Sequence, residues 1–288
     1  MTWRRGIEIK SAAELELMRQ AGRVNAEALL AAVAVVQPGV TTAEIDQAAA
    51  DVLRRHGATP AFLGYPGPTP YPAVTTVSVN EELVHGIPGK RRLREGDIVS
   101  IDCGAIVEGF VGDAAVTVGV GQVPDEVWRL LQATLAGLWA GVAEMVVGRR
   151  TGDVSAAIQQ AVEGRGFSVT RDYTGHGVGR AMHEDPQVPN YGASGKGPQL
   201  RPGMTIALEP MVLAGRPETR VLDDGWTVVA RDGQRTAHFE HTVAVTSDGP
   251  RVLTAFEDPH LDGPHADWYN HFFAGLPRPA EEEGVLAS

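Results

Sequence analysis

Asp102 and Asp113 lie in an otherwise largely apolar stretch from Ile98 to Val118, with Val107-Glu108-Gly109 between them as a turn signal. The β-branched residues flanking both aspartates make this stretch a β-hairpin. With Val107 and Glu108 as a two-residue loop, opposed residues have numbers summing to 215, and the two aspartates face each other across the ladder. Like charges directly opposite are destabilising, and a buried carboxylate without a partner is costly. Something positive must lie between them, and a divalent metal ion answers that need.

A second acidic pair emerges from internal similarity. Gly39, Thr42, Ile45 and Gly57 match Gly148, Thr151, Val154 and Gly166 at a constant offset of 109. Leu93 to Asp102 matches Leu200 to Glu209 at an offset of 107, so an aspartate falls on a glutamate. Phe110 to Val116 resembles Ala237 to Val243 at an offset of 127, which sets Glu240 in the place of Asp113. The second hairpin has therefore gained a longer connection, and that connection includes Gly225-Trp226. A duplication about a pseudo-twofold axis would bring both hairpins to one central sheet and aim four carboxylates at one point.

Four carboxylates cannot all stay ionised in one pocket without cations, and hard oxygen ligands suit one or two divalent ions. A histidine ligand shifts the preference toward Co, Mn, Fe or Zn. The run Tyr173 to Pro186 supplies His176 and His183, with glycines on both sides of His176 allowing close backbone approach. Gly175-x-Gly177-x-Gly179 lacks the spacing and following helix of a nucleotide loop. Two ions about 3.5 to 4 Å apart would acidify a water enough for attack near neutral pH. His85 and His183 then suit substrate contact and proton transfer to a leaving nitrogen, and amide hydrolysis is the natural reaction.

The elements that must position these groups are legible in outline. Ser11-Ala-Ala-Glu14 and Thr41-Thr-Ala-Glu44 have the capping-box pattern and open two helices, the first running toward Gln37 and the second ended by His56-Gly57. Residues 60 to 72 read as a loop and Val74 to Val79 as a strand; Pro124 to Val147 and Thr151 to Glu163 read as two more helices. The fold class is α/β (α+β), two helix-helix-hairpin halves around a central antiparallel sheet.

The bulk composition agrees with a soluble globular enzyme. The chain has 288 residues, 43% hydrophobic and 21% charged, and its formal charge of −11 argues against a nucleic acid backbone as main partner. Residues 252 to 288 carry seven acids against Arg278 alone, so most of the negative charge belongs to the tail. Lys90-Arg-Arg-Leu-Arg94 reads as a solvated turn. Cys103 is the only cysteine, and alternation turns it away from its neighbour Asp102, as it turns His241 away from Glu240. There is no apolar leader and no run long enough to span a membrane, so the expected compartment is the cytoplasm.

The motifs Asn80-Glu-x-x-x-His85-Gly-Ile-Pro88, Ile101-Asp102 with Gly112-Asp113, Gly175-His176-Gly-x-Gly-Arg180-x-x-His183-Glu-x-Pro186, Glu209-Pro-Met and Phe239-Glu240-His-Thr242 closely resemble type I methionine aminopeptidase. The likeness covers about residues 6 to 253 in unbroken order. It implies the pita-bread fold, a duplicated α/β domain about a pseudo-twofold axis. It implies that Asp102, Asp113, His176, Glu209 and Glu240 bind two divalent metals (Co, Mn, Fe or Zn), with Asp113 and Glu240 bridging. His85 and His183 would contact the substrate at the scissile bond, with Glu209 as general base. The implied reaction removes the initiator methionine from nascent polypeptides whose second residue is small.

The implied methionine pocket comprises Phe62, Tyr65, Tyr71, Thr76, Met182 and Trp226. Here the chain departs from the family. Phe62 stands where the bacterial family often has cysteine, and Met182 where it often has phenylalanine, two changes whose volumes offset each other. About three extra residues near Pro68-Thr-Pro70 threaten to displace Tyr71, and Pro66 replaces a loop histidine. Two other readings stay open: a proline-directed aminopeptidase or dipeptidase of the same fold, and a non-catalytic peptide-binding or ribosome-binding module. Expected partners are peptides with N-terminal methionine and, transiently, the ribosome, with the chain a monomer. Residues 1–253 read as the catalytic domain and 254–288 as an acidic extension, its Asp267 to Phe273 aromatic patch docking and its end, Glu281 to Ser288, disordered. His260, His265 and His271 in that extension form no fixed site, because proline and glycine separate them.

Overall fold

The first helix starts where the capping box says it must: the Ser11 hydroxyl accepts from the Glu14 N–H while the Glu14 carboxylate accepts from the Ser11 N–H. Thr41 and Glu44 make the same reciprocal pair for the second helix. In the computed structural model, which describes residues 4–255, the chain opens with strand β1 (Arg4–Ile7) and helices α1 (Ala12–Ala34) and α2 (Thr42–Arg55). Strands β2 (Thr59–Pro60), β3 (Thr75–Val79), β4 (Glu82–Val84), β5 (Ile98–Val107) and β6 (Phe110–Gly119) follow. Helices α3 (Asp125–Ala143) and α4 (Thr151–Glu163) open the second half. It continues through β7 (Ser168–Val169), β8 (Thr174–Gly177), β9 (Glu184–Pro189), β10 (Thr205–Leu208) and β11 (Met211–Leu213). The last strands are β12 (Thr219–Val221), β13 (Val228–Ala230), β14 (Thr236–His238), β15 (Glu240–Thr246) and β16 (Gly249–Val252). The tail features read from the sequence, the 267–273 aromatic patch, the three tail histidines and the 281–288 end, lie outside the described residues.

A ten-stranded sheet in the order β1-β9-β8-β10-β15-β6-β5-β2, with β3 also on β5 and β16 also on β15, carries the site. The duplication is visible in its hydrogen bonds. The Gly39 N–H donates to Leu93 O and the Gly148 N–H to Leu200 O; Leu93 and Leu200 donate back to Val40 and Arg149. Both glycines hold positive φ, 92° and 91°, which a side chain would resist. The isolated bridges Thr41 to Arg92 and Arg150 to Gln199 repeat at the offsets of 109 and 107 read in the sequence. α3 ends at Ala143, short of Val147, because the chain must leave the helix for Gly148 to reach Leu200.

The first hairpin turns one residue later than expected. Val107 pairs with Phe110, and the loop is Glu108-Gly109, at φ of 49° and 77°. A two-residue hairpin turn of this kind needs positive φ at both central positions, which β-branched Val107 resists and glycine takes freely. Opposed numbers therefore sum to 217: Asp102 faces Ala115 and Asp113 faces Gly104. A shift of two in that sum preserves the side-chain alternation, so the aspartates stay on one face as diagonal neighbours.

α1 lies directly on the sheet, and the contact needs glycine. A Cβ on Gly112 would meet the Gly22 nitrogen at 2.5 Å and the Ala21 carbonyl carbon at 2.7 Å, both α1 backbone. Backbone cannot swing aside as a side-chain tip can. Gly112→Val is therefore expected to destabilise the protein by about 1–3 kcal/mol in denaturant titration. A midpoint equal to that of the parent would show that α1 is not seated on Gly112.

Candidate metal centre

Strand register brings the acidic residues into two rows across the sheet. In the first row Thr76, Asp102, Ala115 and Glu240 succeed one another across β3, β5, β6 and β15. Glu209 follows Leu208, which pairs with His241, and so comes level with Glu240. In the second row Gly104 faces Asp113, while Ala207 lies between His176 and Thr242. The small residues Gly104, Ala115 and Ala207 stand among the acidic positions.

Hydroxyl groups join β6 to the strands of the second half. Only Glu240 with Ala115 and His241 with Ala114 pair directly between β15 and β6. On one side the Thr242 hydroxyl accepts from the Asp113 N–H and donates to the Asp113 carbonyl. On the other the Thr117 hydroxyl accepts from the His238 N–H and donates to the His238 carbonyl.

All thirteen residues singled out in the sequence line one cavity of about 560 Å³, its open mouth included. Asp102, Asp113, His176, Glu209 and Glu240 line it together with Thr76, which pairs with Asp102, His183, beside His176, and His85, beside Trp226. Phe62, Tyr65, Tyr71, Met182 and Trp226 form its apolar wall. Tyr71 is not displaced by the longer loop: it is buried, and its hydroxyl donates to Gly86 O at 2.9 Å. The loop is instead clamped to the inserted connection of the second hairpin. Gly67 packs under the Trp226 indole, whose Nε1–H donates to Thr69 O at 3.1 Å. Tyr71 and Trp226 meet edge to face, ring centres 5.1 Å apart. Phe62 packs over Gly104, where a Cβ would come within 3.2 Å of its ring.

Burial sets the electrostatics. It pushes the Asp102 carboxyl well above its ordinary value, with the Asp113 carboxylate adding to the effect. Burial raises Asp113 to about 7, against a hydrogen bond with Glu240 that lowers it, and raises Glu209 and Glu240 well above normal with help from neighbouring carboxylates. Asp102 Oδ1, Asp113 Oδ1 and Glu240 Oε1 are buried without a hydrogen-bond partner. Among the described residues no lysine or arginine pairs with any of the four; their ion-pair partners are His176 and His238. A divalent cation satisfies all of these atoms at once. The donor set fits one: His176 Nδ1 donates to Gly177 O at 2.9 Å, leaving the lone pair on Nε2, which lies 3.4 Å from Glu209 Oε1 and 3.7 Å from Asp113 Oδ2. Asp113, His176 and Glu240 offer ligand atoms within 4.8 Å of one another, as do Glu209, His238 and Glu240.

His183 Nδ1 bonds the Tyr65 hydroxyl at 2.7 Å, and its ring centre lies 4.3 Å from that of His176. The loop between these histidines is tied down by Glu184, fully buried against Lys10 and accepting from the Ala181 N–H. His85 sits edge-on to Tyr173 and Trp226 at a φ of 61°, unusual for a residue with a side chain. His238 and the two threonine clasps were not singled out in the sequence. Strand alternation carried the signal for His238, two residues before Glu240 and so on the same face. Cys103 and His241 turn away as expected: Cys103 is fully buried, and His241 bonds the Thr254 hydroxyl at 3.0 Å.

Residues 16–247 match metallopeptidase family M24. The chain belongs to that family. It is 48% identical over 248 residues to a methionine aminopeptidase of Clostridium perfringens, covering 86% of this chain and 98% of that one. It is 51% identical over 258 residues to methionine aminopeptidase 1 of Mycobacterium tuberculosis, covering 87% and 96%. The crystal structure of methionine aminopeptidase from Thermotoga maritima superposes with a TM-score of 0.84 at 47% identity, covering 86% of this chain and 99% of that one. Prolidase from Pyrococcus furiosus shares the fold at a TM-score of 0.71 and 23% identity, with 66% of its length covered. The M24 architecture is thus the pita-bread fold that the resemblance implied, and it agrees with the repeat.

The M24 site makes two expectations about charge and proton position. Carboxyls whose folded pKa is raised hold their proton better when folded, so their contribution is full below the unfolded value near 4 and is lost as pH rises through the folded values. Histidines lowered by burial, His85 and His176 to about 4, His238 to about 3 and His183 to about 2, act oppositely, losing stability as pH falls below about 6.5. Only from about pH 7.5 upward are the histidines almost wholly neutral in both states, and there the carboxyls dominate. Metal-free protein should therefore melt lower at pH 8.5 than at pH 7.5, and metal-loaded protein should not; calorimetry at both pH values checks this, and a metal-free Tm that rises would contradict it. Tyr65→Phe, which removes the bond to His183, should lower kcat about 2- to 10-fold with the metal content unchanged. An unaltered kcat would show that this bond does not position His183.

Proposed function

We propose that this M24 protein is a methionyl aminopeptidase, a hydrolase that removes the N-terminal methionine from peptides in a metal-dependent reaction. One observation carries the reading: an aromatic and thioether pocket opens directly onto four converging carboxylates, so a side chain held in the pocket sets its own backbone amide at the metal end. The similarity to methionine aminopeptidases over nearly their whole length supports it.

Asp102, Asp113, His176, Glu209 and Glu240 would hold two divalent cations, with Asp113 and Glu240 shared. Such a pair, when bound, polarises a carbonyl and lowers the pKa of water. The chain's own residues do the rest. Phe62, Tyr71, Met182 and Trp226 take the methionine side chain, whose sulfur gains from aromatic edges. Tyr65 and Thr76 complete the wall. His183, its Nδ1 bonded to Tyr65, keeps Nε2 as the nitrogen that exchanges a proton at the scissile amide, and His85 contacts the substrate from the Trp226 side. Glu209, at the cavity end of β10, serves as the general base.

The wider reading is a monomer acting in the cytoplasm on nascent chains with a small second residue, in transient contact with the ribosome. Residues 1–253 form its catalytic domain and 254–288 an acidic extension. No helix among the described residues is long and apolar enough to cross a membrane.

Metal-stripped protein should be inactive on Met-Ala-Ser and regain activity with Mn, Fe, Co or Zn, while Ala-Pro and X-Pro peptides remain uncut. Preferred cleavage of the proline peptides would favour the proline-directed alternative. Clean metal binding with no turnover of any Met-peptide would leave a binding module instead.

A further inference from the structure

The five-ligand reading of the centre leaves one buried nitrogen unassigned. His238 Nε2 has no hydrogen-bond partner, and the residue is only 2% exposed. It lies 3.6 Å from Glu240 Oε2 and 3.8 Å from Glu209 Oε2. These separations are too long for a charge-assisted hydrogen bond, which runs at about 2.7–2.9 Å. They are right for atoms sharing an ion: metal–ligand bonds of about 2.1 Å set two ligand atoms about 3.0 Å apart at a right angle and about 4.2 Å apart when opposed. His176 Nε2 stands to Glu209 Oε1 and Asp113 Oδ2 at 3.4 and 3.7 Å, a closely similar relation. Glu209 thus turns one oxygen to each imidazole.

The backbone holds His238 in this place from both sides. Its N–H and C=O are both taken by the Thr117 hydroxyl, and Met211 pairs with it across β11 and β14. A buried nitrogen without a partner is costly, and a cation between the three groups would satisfy it.

We propose that His238 is a sixth protein ligand of the centre, offering Nε2 to a divalent cation that Glu209 and Glu240 also hold. This rests on the site being a metal centre, and it assigns that centre two imidazole ligands, His176 and His238, instead of one. A second imidazole makes the centre softer and more selective for Co, Fe or Zn over Mg or Ca.

X-ray absorption of the full chain loaded with two equivalents of Co(II) counts the imidazoles directly and needs no variant. Two per pair of ions is the expected count, falling to one in His238→Ala, and in His238→Gln, which keeps more of the volume and a hydrogen-bonding group. Competition with a chelator should show one of the two equivalents bound at least about tenfold more weakly in both variants. One imidazole per pair in the unaltered protein, or a count and affinity that do not change in the variants, would overturn the assignment and leave the dinuclear reading standing. Failure of the unaltered protein to bind Co(II) at all would overturn both.

Discussion

Mutual repulsion among four buried carboxylates is the constraint on which the rest of the structure depends. Asp102, Asp113, Glu209 and Glu240 are each driven toward the protonated form by burial, and three of them also by neighbouring carboxylates. No basic side chain among the described residues relieves them. A protein that retains such a cluster in a low-dielectric pocket must neutralise it, and divalent cations do so while polarising whatever else they touch. Metal dependence here is a consequence of burial as much as of ligand identity.

The cluster spans the join between two halves of the chain. Asp102 and Asp113 belong to the first hairpin, Glu209 and Glu240 to the second, and β6 against β15 is the only contact between hairpin strands of the two halves within the sheet order. Two direct residue pairs and two threonine hydroxyls make that seam. Gly112 lets α1 press close behind it. Stability and chemistry therefore compete for the same few positions.

The aromatic side of the cavity is built differently. Its walls come from the 62–71 loop, from Met182 and from the long connection that carries Trp226, all outside the repeated strands. Phe62 occupies the space that Gly104 leaves, and Trp226 is fixed by Gly67 and Thr69 of the longer loop. The longer loop thus packs against Trp226, and Phe62 and Met182 belong to the same apolar cluster.

Much of this was readable without coordinates. Capping boxes, the offset repeats and the acids at matched strands are local or periodic signals, and they sufficed for the helices, the duplicated fold and the gathering of four acids; the pocket residues Phe62, Tyr65, Tyr71, Thr76, Met182 and Trp226 followed only from the family resemblance. Where the reading slipped, the cause was local too: positive φ at Glu108 and Gly109 moved the turn by one residue, a choice that turn chemistry could have anticipated. His238 was legible by alternation yet passed over, because a histidine two residues from an acid is common on strands. What only the folded chain decides is distance. How the Thr117 and Thr242 hydroxyls stand in for backbone pairs and how the lengthened loop closes on Trp226 depend on contacts between residues more than a hundred positions apart, and which oxygen of Glu209 faces which imidazole on contacts about thirty apart; no local pattern in a chain specifies those.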